Sequence, residues 1–76
     1  MSELWNVRIE LRPETDLEDM EALLGNRGAT VLTSREAENG RIELLIVIES
    51  DYMARLADAL PSGATWRLMG VRGNLS

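Results

Sequence analysis

The stretch Arg41-Ile42-Glu43-Leu44-Leu45-Ile46-Val47-Ile48-Glu49-Ser50 constrains the fold more than any other. Leu44 to Ile48 are all branched aliphatics, charges bracket them, and neither Gly nor Pro interrupts the run. Such a run predicts a central strand covered on at least one face. The remaining segments then read as elements that pair with this strand or cover it.

Trp5 to Arg12 alternates, with Trp5, Val7, Ile9 and Leu11 against Asn6, Arg8, Glu10 and Arg12. That is a strand with one buried face, stopped at Pro13 because proline cannot continue a central ladder. Thr15-Asp16-Leu17-Glu18 fits a capping box, with Thr15 as the cap. Leu17, Met20, Leu23 and Leu24 follow at helical spacing, and Gly25 or Gly28 ends the helix. Thr30-Val31-Leu32-Thr33 is β-branched enough for a strand within Ala29 to Ala37. Asn39-Gly40 signals a two-residue hairpin turn, which would set Glu38 opposite Arg41 and Leu32 opposite Val47. Ser50 suits the N-cap of a second helix whose buried stripe is Met53, Leu56, Ala57 and Leu60. Pro61-Ser62-Gly63 ends it. Thr65 to Val71 reads as a last strand, with Trp66 and Leu68 inward and Arg67, Met69 and Val71 outward, followed by a short tail from Gly73.

The element order strand-helix-strand-strand-helix-strand makes two βαβ units that share a hairpin. Right-handed crossovers then place both helices on one face of a four-stranded antiparallel sheet with strand order 4-1-3-2. The expected class is α+β, a ferredoxin-like βαββαβ two-layer sandwich formed by residues 1–76 as a single domain. The expected core is Trp5, Val7, Ile9, Leu17, Met20, Leu24, Ile42, Leu44, Ile46, Ile48, Met53, Leu56, Leu60 and Leu68.

Composition narrows the chemistry. The chain has neither cysteine nor histidine. Disulfides, thiolate sites and cysteine nucleophiles are thereby excluded, and the usual general base is missing. Without His, Lys or Cys, no nucleophile–base–orienter set can be assembled from its serines and acids. The expectation is a non-enzyme with no cofactor and no metal. The net charge is −5, and no basic footprint for nucleic acid is present. Five acids fall between Glu14 and Glu21 with no base among them. They suit a solvated helix face near the positive end of the dipole, or a surface shown to a basic partner. Neither a signal peptide nor a membrane span is apparent in the sequence, so a cytoplasmic protein is expected.

Two nucleic-acid motifs fail on inspection. Gly25-Asn26-Arg27-Gly28 has the G-x-x-G spacing of a KH loop, but a β-branched strand follows it and a helix C-cap is the better fit. The open face of the two central strands offers Asn6, Arg8, Glu10, Glu43, Leu45 and Val47, with no aromatic to stack a base as an RNA-recognition motif does.

Arg12-Pro13-Glu14-Thr15-Asp16-Leu17-Glu18-Asp19-Met20-Glu21-Ala22-Leu23-Leu24, with Gly28-Ala29-Thr30-Val31 after it, resembles an ACT domain. In that family a strand runs into an Arg-Pro-Gly-type loop, then a helix, then a strand entered through glycine. The resemblance implies a ligand loop at Pro13, Glu14 and Asp16, with Glu14 standing where the family has glycine. It also implies a regulatory domain that binds a small molecule at a dimer interface.

From the residues themselves, the open sheet face decides what the protein touches. Leu32, Leu45 and Val47 should cluster there, joined by Met69 and Val71 from the far edge. Monomers seldom expose such a patch. The expected function is a protein-interaction module, homodimeric through the open face or through the edge strand Ala29 to Ala37. A small acidic inhibitor of the kind phages encode, docking its first helix on a basic partner protein, is the further alternative.

Overall fold

The computed structural model describes residues 3–74, with side chains through Arg72. The elements are β1 (Glu3–Leu11), α1 (Leu17–Asn26), β2 (Thr30–Glu36), β3 (Ile42–Glu49), α2 (Ser50–Ala59) and β4 (Thr65–Asn74). The four strands form one antiparallel sheet in the order β2-β3-β1-β4, which is the expected order read from the other edge. β4 runs through Asn74, so the expected tail begins as strand; Leu75 and Ser76 lie outside the described residues.

The apolar alternation of β1 and the aliphatic run of β3 make the core. Val7, Ile9, Leu11, Leu44, Ile46 and Ile48 are fully buried, and they share one cluster with Met20 and Leu24 of α1 and Met53 and Leu56 of α2. These strand residues occupy one face of the sheet, so both helices pack on that face. Trp5, Leu17, Ile42 and Leu60 are partly buried against the cluster. Leu68 departs from expectation: it is 42% exposed, because it sits on the edge strand β4, whose outer side nothing among the described residues covers.

Local capping differs from the sequence pattern by one residue. Asp16, not Thr15, caps α1: its carboxylate accepts from the Glu18 and Asp19 amides at 3.0 and 3.3 Å. Thr15 instead donates its amide to the Arg12 carbonyl at 3.1 Å, closing the turn at Pro13. The end of α1 is a Schellman motif, with Ala29 N–H donating to Leu24 O at 2.9 Å and Gly28 N–H to Gly25 O at 3.2 Å. Gly28 has φ +84°, and a Cβ there would sit 2.9 Å from Tyr52 Cδ2. Ser50 is the first residue of α2 rather than its cap; its hydroxyl accepts from the Glu3 amide at 3.1 Å, tying the start of β1 to α2.

The hairpin differs in the same way. Ala37 N–H donates to Arg41 O at 2.7 Å, so the loop is the three residues Glu38, Asn39 and Gly40 rather than Asn39-Gly40 alone. Arg35 therefore faces Glu43 and Thr33 faces Leu45. Between Val31 and Thr33 the register shifts again, Val31 pairing with Ile46, and Leu32 becomes the extra residue of a bulge.

Candidate functional site

Two surfaces stand out, the outer edge at β4 and the open face of the sheet. β4 pairs with β1 through Ile9–Trp66, Val7–Leu68 and Trp5–Val71 on the helix-covered side, and through Glu10–Thr65, Arg8–Arg67 and Asn6–Gly70 on the open side. Met69 and Arg72 are extra residues at two register shifts. The first shift carries Val71 to the side opposite the one a simple alternation gives it. As the outer edge of the sheet, β4 is left largely exposed there. Trp66 and Leu68 are each 42% exposed, and Met69 and Val71 each 51%. The other exposed large apolar side chains among the described residues are Leu32 and Tyr52. Four of those six therefore lie on a single edge strand.

The residues expected to form one apolar patch are thus divided. Leu45 is half-buried on the open face, and Val47 beside it is buried, held between Asn6 and Thr30 on the neighbouring strands. Leu32 is exposed at the β2 bulge, Met69 at the β4 bulge, and Val71 lies opposite Trp5. Leu45 and Met69 do come together: with Arg8, Thr33, Arg35 and Glu43 they line a trough of about 400 Å³ on the open face.

That face is otherwise ionic. Arg35 Nη2 lies 3.3 Å from Glu43 Oε1, and Arg41 Nε lies 3.6 Å from Glu10 Oε2. Arg41 also donates through Nη2 to Gly63 O at 2.8 Å, tying the hairpin to the loop before β4. Arg8 and Arg67 are directly opposite each other, and neither has a carboxylate within 4.0 Å among the described residues.

The loop implied by the ACT resemblance is partly committed to structure. The Asp16 carboxylate is occupied as the α1 cap, and Glu14 is exposed beside Arg12 at 4.0 Å. Pro13 lines a depression of about 290 Å³ with Leu17, Ser34, Arg35, Glu36, Gly40 and Ile42. The acids Glu18, Asp19 and Glu21 of α1 all face solvent. No helix of the described residues is long and apolar enough to cross a membrane.

The chain matches no protein-family model, and a search of curated proteins finds no relative.

Proposed function

We propose that this chain is a protein-interaction module on a ferredoxin-like two-layer scaffold, and that it pairs with a second copy of itself along β4. One observation carries the proposal: the exposed large apolar side chains are concentrated on this uncovered edge strand, at Trp66, Leu68, Met69 and Val71. An edge strand presents free backbone groups that a second strand can complete. The opposite edge, β2, is less suited. Both edges are bulged, β2 at Leu32 and β4 at Met69 and Arg72, but β2 is shorter, seven residues against ten, and apart from Val31 and Leu32 it shows only Thr, Ser, Arg and Glu.

The sequence of β4 suits antiparallel pairing with itself. A two-fold axis between Leu68 and Met69 sets Trp66 against Val71 of the other copy twice, both on the helix side. Arg67 then faces Gly70 and Arg72 faces Thr65, so no like charges oppose each other. The product is a closed, isologous dimer with a continuous eight-stranded sheet. Sedimentation at micromolar concentration tests this. The wild type is expected at the mass of two chains and Leu68→Glu at the mass of one, with unchanged circular dichroism. A wild-type monomer at all concentrations removes the proposal.

A further inference from the structure

Arg8 and Arg67 are forced into opposition by the core. Val7 and Ile9 must face the helices, and so must their partners Leu68 and Trp66. The residues between them, Arg8 and Arg67, then meet on the open side. Like charges directly opposite across a sheet are destabilising. The adjoining acid pair, Glu10 opposite Glu43, has the same problem and solves it locally, since Arg41 lies against Glu10 and Arg35 against Glu43. This part of the face thus holds four guanidiniums, Arg8, Arg35, Arg41 and Arg67, and two carboxylates, Glu10 and Glu43. The surplus is the Arg8–Arg67 pair, in a chain whose net charge is −5.

We propose that this pair is the binding site for a phosphate monoester. Each guanidinium is a planar fork that matches phosphoryl oxygens two at a time, and two forks match a dianion. Beside the pair, the trough of about 400 Å³ has Leu45 and Met69 among its lining, an apolar surface for the organic group of the ester. Thr33 and Arg35 line the same trough, Arg35 paired there with Glu43. Arg67 and Met69 lie on β4, the strand proposed to self-pair, but the site's groups are on the open side of the sheet, whereas Leu68 is on the helix side.

Heteronuclear NMR titration with inorganic phosphate and with phenyl phosphate, at an ionic strength fixed with sodium chloride, tests the site. Saturable shifts are expected at the Arg8 and Arg67 Nε–H groups and at the Thr33 and Met69 amides. Phenyl phosphate should bind more tightly than inorganic phosphate and also move the Leu45 and Met69 methyls. Arg67→Gln should weaken binding at least tenfold, and Arg27→Gln, at the end of α1, should leave it unchanged. Leu68→Glu should still bind, which separates this site from the dimer. In thermal melts, phosphate should raise the midpoint of the wild type and not of Arg67→Gln. If Arg67→Gln does not fold, Arg8→Gln reports the same loss from β1. Shifts that grow linearly without saturation, that spread over all the arginines, or that survive both glutamine variants overturn the proposal. Equal binding of both phosphates with no shift at Leu45 and Met69 overturns the monoester assignment.

Discussion

The Ala37 amide donates to the Arg41 carbonyl at 2.7 Å, and this bond closes the β2–β3 hairpin around Glu38-Asn39-Gly40. Gly40 returns its own amide to Ala37 O at 2.9 Å and has φ +82°. A three-residue loop that ends on a left-handed residue is a favoured way to join antiparallel strands. The bond also decides the side-chain partners, because it brings Arg35 opposite Glu43, where the two form an ion pair.

Gly40 and Gly28 are both left-handed but differ in surroundings, which makes their alanine variants a controlled comparison. A Cβ at Gly40 meets only Pro13 Cγ at 3.8 Å, an ordinary contact. Gly40→Ala should therefore cost about 1–2 kcal/mol, from backbone conformation alone. A Cβ at Gly28 would stand 2.9 Å from Tyr52 Cδ2. Gly28→Ala should add about 1–3 kcal/mol of overpacking to the same backbone cost. Urea denaturation measures both, and the double variant Gly28→Ala/Tyr52→Ala should recover most of the difference. Equal losses at the two glycines would show that Tyr52 moves aside freely.

The α1 cap is the next point at which a single side chain is decisive. Asp16 accepts two amides and Thr15 caps nothing, although both are preferred cap residues. Asp16→Ala should cost about 0.5–2 kcal/mol. Thr15→Ala should stay within about 0.5 kcal/mol, as for most surface changes. The reverse order in chemical denaturation would place the cap at Thr15.

Element types and order were legible in the sequence because they rest on long periodic runs: Trp5 to Leu11 alternates and Leu44 to Ile48 is uniformly apolar. Most of the core followed from the same periods; Leu68 is exposed against expectation, and Leu11, Ala29 and Val47 are buried although the expected core did not include them. What escaped was every shift of one residue. The cap moved from Thr15 to Asp16 because either side chain can accept those amides. The hairpin moved from a two-residue to a three-residue loop because Asn-Gly serves both. Leu32 and Met69 are bulge residues, and a bulge inserts one residue without altering composition. The β4 bulge alone carried Val71 away from the open face. A signal for it was present: Gly70 interrupts an otherwise regular strand, and an isolated glycine there often marks a bulge. The Arg8–Arg67 opposition needed the strand register, which no local pattern contains.

Burial predicts a steep contrast between Ile46 and Leu68, both aliphatic strand residues. Ile46 is fully buried beneath the helices, and Leu68 is 42% exposed on the edge. Ile46→Val should cost about 0.5–1.5 kcal/mol and Ile46→Ala about 2–5 kcal/mol. A domain of 76 residues has roughly 4–11 kcal/mol of stability in total, so Ile46→Ala takes a large share of it. Leu68→Ala should cost less than about 1 kcal/mol in the monomer, where little is left to be uncovered. Stability must be measured at a concentration low enough to dissociate any dimer, since association adds its own free energy to the folded state.

Hydrogen exchange distinguishes the two edges of the sheet. In a monomer, the outward amides of both β2 and β4 are free of strand partners and exchange quickly. Pairing through β4 would protect its outward amides as concentration rises, while those of β2 would stay fast. Pairing through β2 would give the opposite pattern. Stacking through the open face would protect neither edge. The Leu68→Glu variant should lose the β4 protection and keep that of Leu44 and Ile46, whose amides lie within the central strand. Protection on β2 that rises with concentration, with β4 unchanged, would move the interface to the Leu32 edge and refute the β4 dimer.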